Sequence, residues 1–277
     1  MPTASVNGTS LYYDDVGEGP PLLFIHGTVT DASSWAGQIE RLSSSFRCIA
    51  YDRRGSSRSP WGVPAEAETN IDAVDASVLI RQLQAVPSVV VATSAGGRIA
   101  LELMVSYPDL LAGAVLSEPT AFELDPADHS TFDIAVQSAV HDALAKEGPR
   151  AAVERFAIEI DPVEWASASD DERERRRANH AALLRLMSST PKLLTLRHLE
   201  GIKVPCVVVV GTETHDVFRR IAAVLASTIP GARLVEFPGS GHQTYANQPE
   251  DFARVIREFT ASVLAVARWR TDDGSRR

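Results

Sequence analysis

Apolar runs of four to six residues recur along the chain. Each ends in small or polar residues, and most are followed by a stretch with helical spacing. Residues 11–16, with the turn-rich Gly17-Glu-Gly-Pro-Pro21 after them, read as an opening hairpin region. Residues 22–25 form a short apolar strand that runs into His26-Gly27-Thr28. Capping residues across 31–34 introduce a helix over 35–42, and residues 48–51 form the next strand, ending at Asp52. Ile71, Val74, Val78, Leu79 and Leu83 mark one face of a helix over 69–83. Strands over 89–91 and 114–116 follow, separated by a helix that starts near Arg98.

The alternation then stops. Between about 128 and 190 the pattern is helical, with helices expected over 131–146, 149–158 and 170–187. The last opens on Asp170-Asp-Glu and carries Arg175, Arg176 and Arg177, which reads as a solvated face. Strands return at 204–210 and 232–237, with a helix over 219–227 between them. A closing helix spans 249–266, and residues 268–277 are polar enough to fray. Strands alternating with helices predict an α/β fold: a mostly parallel twisted sheet covered by helices on both faces. The core comprises residues 1–120 and 192–277, and residues 121–191 form a helical lid inserted between its sixth and seventh strands.

Composition narrows the setting. The 277 residues are 44% hydrophobic, enough for one sizeable core, and the formal net charge is −9. No basic patch suggests nucleic acid, and no apolar run is long enough for a membrane span. No secretory signal is visible, so a cytoplasmic location is expected. Cys48 and Cys206 each lie in an apolar run and read as buried free thiols. No metal or cofactor is expected. The partner is a small-molecule substrate, and a homodimer is left open.

The candidate chemistry sits where the strands end. In Val89-Val-Val-Ala-Thr-Ser94-Ala-Gly-Gly-Arg98, a β-branched run becomes a helix within very few residues. So sharp a reversal strains the residue at its apex and needs small neighbours, which Ala92 and Gly96 supply. This is the strand–turn–helix setting of a nucleophile elbow, with Ser94 at the tip and alanine in place of the usual first glycine. The bland alternative is a Ser/Gly loop that binds an anion at the helix start. His26, Asp52, Glu118, residues 212–216 and His242 also follow strands, and open α/β sheets build their sites at carboxyl strand ends.

With these pieces in this order, the chain resembles the α/β-hydrolase family. The matching segments are Leu22-Leu-Phe-Ile-His-Gly27, Tyr51-Asp-Arg-Arg-Gly55, Ala92-Thr-Ser-Ala-Gly-Gly97, Val204-Pro-Cys-Val-Val-Val-Val-Gly211 and Pro238-Gly-Ser-Gly-His242. The resemblance implies Ser94 as nucleophile and His242 as general base. It implies an oxyanion hole from the amides of Ala95 and Thr28, with Gly27 and Val29 as alternatives to Thr28. His26, Asp52 and Arg53 are then structural.

The chain departs from the family at the acid. The usual position, three residues after Gly211, is Thr214. Asp216 is two residues further on, and Glu118 directly follows the sixth strand, where some lactone hydrolases and dehalogenases of the family carry theirs. Glu118 is favoured and Asp216 is the alternative. The expected activity is hydrolysis of an ester, thioester or lactone of a small, fairly apolar molecule. Trp165, Phe132 and Leu186 of the lid are the expected substrate contacts. Carbon–carbon bond hydrolysis, an aminopeptidase and a binding module that has lost turnover are the competing readings.

Overall fold

The computed structural model describes residues 1–63, 71–125, 127, 130–188 and 193–274. Within them a single sheet holds eight strands: β1 (Thr3–Val6), β2 (Thr9–Val16), β3 (Pro21–Ile25), β4 (Arg47–Tyr51), β5 (Ser88–Thr93), β6 (Leu111–Ser117), β7 (Cys206–Gly211) and β8 (Arg233–Phe237). Their order is β1-β2-β4-β3-β5-β6-β7-β8. β2 runs antiparallel to β1 and β4, and the remaining neighbours are parallel. The helices of the core are α1 (Ala36–Leu42), α2 (Ile71–Gln82) and α3 (Ala95–Ser106). Between β6 and β7 come α4 (Ser130–Glu147), α5 (Pro149–Ile160), α6 (Pro162–Ser167), α7 (Asp170–Ala178), α8 (His180–Ser188) and α9 (Leu196–Glu200). The chain closes with α10 (Asp216–Thr228), α11 (Thr244–Asn247) and α12 (Pro249–Gly274).

Burial on both faces explains why the central strands read as continuous apolar runs. On one face Leu23, Ile25, Val90, Ala92, Ala114, Leu116, Val208 and Val210 pack under α2, α3 and α10. On the other, Leu22, Phe24, Val89, Val91, Val115, Val207 and Val209 meet Trp35, Phe252, Ile256 and Phe259. The inserted helices carry a core of their own: Val136, Val140, Ala152, Val153 and Leu183. Val29, from the loop after β3, packs into that core. Cys48 and Cys206 are free and buried, and desolvation pushes each thiol up to about 12. Among the described residues no helix is long and apolar enough to cross a membrane.

Several expectations need correcting. The opening hairpin is β1–β2, turning at Asn7-Gly8, where both residues have positive φ (38° and 73°). Asn-Gly is a strong signal for such a turn, and residues 17–20 connect β2 to β3 instead. The helix expected over 170–187 is two helices, broken at Asn179. That residue is buried, and its side-chain oxygen accepts from the Ser57 amide (2.7 Å). Within the charge run Arg176 is buried rather than solvated, paired with Glu164 and Glu172. Burial opposes its charge, but the Glu164 carboxylate outweighs that and raises the guanidinium above its ordinary value. The closing helix continues past 266 to Gly274, and α6 and α9 are additional. α6 starts at Asp161-Pro162, an acceptor cap followed by a proline at the first helical position.

The first turn of α3 lies directly against the end of β3. A Cβ on Gly96 would be driven into the carbonyl oxygens of Ile25 and His26. Backbone cannot yield as a flexible side chain does, so Gly96→Ala is expected to cost about 3 kcal/mol or more. Gly201→Ala, where nothing lies nearer than 3.5 Å, should stay within about 0.5 kcal/mol of the parent. Urea unfolding of the two variants side by side checks this.

Candidate active site

Ser94 stands at the tip of the β5–α3 turn with φ 54° and ψ −123°, a conformation most side chains avoid. Cross-strand bonds hold it there. Its amide donates to the Ser117 carbonyl (2.9 Å), and its own carbonyl accepts from Thr120 (3.2 Å) and Arg98 (3.1 Å). Ala92 is fully buried, so alanine suffices where the elbow pattern usually has glycine. Ala95 opens α3, and its amide therefore has no carbonyl four residues back within the helix to bond.

Glu118 follows β6 directly, also at positive φ (46°). Its side chain is wholly buried, and three donors surround the carboxylate. The Gly211 amide, at the end of β7, donates to Oε1 (2.8 Å). The Thr214 hydroxyl donates to Oε2 (2.7 Å). His242 Nδ1, after β8, lies 2.6 Å from the same Oε2. An ionised carboxylate can only accept, so Nδ1 carries the proton of this bond. Nε2 is buried and has no hydrogen-bond partner among the described residues. The Phe218 ring covers the imidazole at 4.4 Å between centroids.

Asp216 lies elsewhere. It is the first residue of α10, its side chain is 79% exposed, and it faces Arg219 at 3.6 Å. It makes no bond to His242.

The loop after β3 is fixed by a buried histidine. His26 Nε2 accepts the Arg53 amide (2.9 Å), which leaves Nδ1 to donate to the Gly27 carbonyl (2.8 Å). Burial, and the nearby Arg53 charge, push its pKa down to about 4. A second proton would also set an N–H against the Arg53 amide. Asp52 accepts the Ala32 and Arg58 amides and the Arg58 guanidinium. Arg53 reaches the Gly27 carbonyl and Asp72. Thr28 follows Gly27, and Val29 adopts φ 55°, unusual for a β-branched residue.

Ser94, His242, Gly27, Thr28, Val29 and Thr93 line one narrow pocket of about 40 Å³. Its remaining walls are Thr30, residues of the inserted segment (Phe156, Ala157, Ile160, Asp161, Glu164 and Arg176), and Gln243 and Tyr245 at the start of α11. The aromatic and aliphatic residues expected to meet substrate sit elsewhere. Trp165 is buried near Arg173 and Arg177. Phe132 stacks on Phe122, Phe218 and His215, one ring removed from His242. Leu186 is 44% exposed. Phe156, Ala157 and Ile160 line the pocket instead. Of these only Ile160 lies beyond the helix expected over 149–158, which runs on to that residue. Among the described residues no cluster of three or more His, Cys, Asp or Glu is placed to hold a metal ion.

The sequence model of the alpha/beta hydrolase family matches residues 22–255. RutD of Pseudomonas syringae pv. syringae, whose name carries a provisional assignment as a carbamate hydrolase, is 25% identical over 255 residues, covering 88% of this chain and 95% of RutD. An esterase from Thermogutta terrifontis superposes with a TM-score of 0.74 at 25% identity, over 95% of this chain and 99% of its own. A bromoperoxidase from Bacillus anthracis superposes with a TM-score of 0.79 at 21% identity, over 94% and 100% of the two chains.

The neutral state of His26 makes stability depend on pH. The unfolded chain takes up this proton near 6.5, the folded chain only near about 4. The contribution is complete above the unfolded value and is lost as pH falls through that window, reaching about 3 kcal/mol. Urea unfolding between pH 7 and 4 should show this loss, and His26→Gln should show a shallower acid slope than the parent.

Proposed function

Because the chain belongs to the alpha/beta hydrolase family, we propose that it is a serine hydrolase of small esters, thioesters or lactones, working through an acyl-enzyme on Ser94. The observation that carries this reading is the Glu118–His242 pair at 2.6 Å, with Nε2 unpartnered at a pocket shared with Ser94. In it, Nε2 takes the Ser94 proton as Oγ attacks the substrate carbonyl, then returns that proton to the leaving group. Glu118 keeps the imidazole in the tautomer this requires and stabilises the imidazolium that forms. The amides of Ala95 and Thr28 receive the developing oxyanion, worth a few kcal/mol per donor in well-formed sites. Water then repeats the sequence on the acyl-enzyme.

Substrate size follows from the walls. About 40 Å³ beside Ser94, bounded by Val29, Phe156, Ala157 and Ile160, suits a short, apolar acyl group. The helices α4 to α8 act as the lid that bounds it. A larger, more polar cavity of about 350 Å³ shares Val29, Thr30, Arg176, Gln243 and Tyr245 with this pocket and gives the leaving group room. Short-chain p-nitrophenyl esters are therefore the first substrates to test, with small lactones and carbamates beside them.

Acetyl and butyryl esters should turn over faster than octanoyl esters, and a fluorophosphonate probe should label Ser94. Ser94→Ala should abolish turnover and labelling while leaving the melting temperature nearly unchanged. An activity within a few-fold of the parent would refute the nucleophile assignment.

The acid is tested by comparing two conservative changes on one ester at one pH. Glu118→Gln should lower kcat by about 10² to 10⁴-fold, the range for a triad that has lost its carboxylate. Asp216→Asn should stay within about twofold, as for a surface residue. The reverse ranking would move the acid to Asp216.

A further inference from the structure

His242 is held from two directions. Glu118 grips its ring, and a second carboxylate grips its backbone. Asp161, in the single-residue joint between α5 and α6, is only 8% exposed. Its Oδ1 accepts the Glu164 amide (3.0 Å) and so caps α6. Its Oδ2 accepts the amide of His242 (3.0 Å), 81 positions along the chain. Capping α6 needs one oxygen only, and serine would serve as well. The second oxygen is committed to the histidine loop. Gly241 makes the approach possible, since a Cβ there would lie 2.5 Å from Oδ2, and the other atoms it would meet also belong to Asp161. Burying a carboxylate is costly unless donors replace its water. Here the two replacements are the start of an inserted helix and the residue that carries the general base.

On the serine hydrolase reading above, we propose that Asp161 is a positioning residue for catalysis. Its carboxylate fixes the height of the His242 backbone over the sheet, so Nε2 faces Ser94 only when α5 and α6 are seated. Glu118 alone leaves the ring free to pivot about its Nδ1 bond. The Asp161 contact supplies the second fixed point. The inserted helices thereby do more than wall the pocket: their seating and the readiness of the base are one event. The other charged groups at this pocket, Glu164 and Arg176, are bonded to each other, so Asp161 and Glu118 are the carboxylates that address His242.

The test perturbs one contact from both sides. Asp161→Ser keeps an α6 cap but is too short to reach the His242 amide. Gly241→Ala leaves the carboxylate in place and pushes it away. Each should lower kcat about tenfold or more, because small misplacements of a catalytic group carry such losses, while KM for the same ester stays within about twofold. Once Asp161 is serine the Gly241 Cβ has no carboxylate to meet, so the double variant should lose little beyond Asp161→Ser alone. Thermal melts establish that each variant is folded. If Asp161→Ser does not fold, Gly241→Ala decides alone. Singles within about twofold of the parent in kcat, or a double variant whose loss is the product of the two, would overturn the proposal. The low-field proton resonance of His242 Nδ1, which needs no turnover, should shift or broaden in both singles. An inert parent that still shows this shift would refute the esterase reading and leave the coupling standing, whereas an active parent with unmoved variants would refute the coupling alone.

Discussion

A carboxylate with no exposed surface has to find donors for its lone pairs, and much of the site is arranged to supply them to Glu118. Two stretches distant from it in sequence supply three: the Gly211 amide and the Thr214 hydroxyl from one, and the His242 ring from the other. Losing any one would leave buried lone pairs unmet, which is worse than never having buried them. The end of β7, the turn that follows and the loop after β8 are thereby held in register around the end of β6. The backbone shares in this. The Glu118 amide donates to the Val209 carbonyl, and the Glu213 amide donates to that of Ser240.

Strain gathers at the same edge of the sheet. Val29 after β3, Ser94 after β5 and Glu118 after β6 all have positive φ without being glycine. Each such residue costs of order 1–3 kcal/mol and survives only where its surroundings over-determine it. The surroundings here are visible: Ser117 and Thr120 clasp Ser94, the Val209 carbonyl, the Gly211 amide and the Thr214 and His242 side chains clasp Glu118, and the core of the inserted helices encloses Val29. The sheet below is apolar on both faces and has no slack to relieve them.

Much of this was legible in the sequence. Short apolar runs located the central parallel strands, because burial on both faces leaves little room for polar positions to blur them. The elbow was legible because its steric demand for small residues at 92 and 96 is local. Glu118 was legible because strand ends are where an open sheet places chemistry, and Thr214 removed the competing position. What escaped was set by contacts across the chain. Asn179 sits in a helical pattern and breaks it to reach Ser57. Arg176 looked like one of three solvated cations until Glu164 was brought beside it. Asp161 caps α6, and nothing local to it points to residue 242. The same holds for the pocket wall: Trp165 and Phe156 read alike in an amphipathic stretch, and only packing decides that Phe156 lines the pocket with Ser94.

Thr214 carries a consequence for how such a site can change over time. A carboxylate at that position, beside an intact Glu118, would put two negative charges on one imidazole in a dry cavity. Like charges so close repel, and the single Nδ1 proton can serve only one of them. The two mounting points for the acid are therefore exclusive alternatives. A lineage exchanging one for the other must cross a state that carries both carboxylates or neither. The hydroxyl at 214 avoids that conflict, since it hydrogen-bonds the Glu118 carboxylate without competing with it for the histidine.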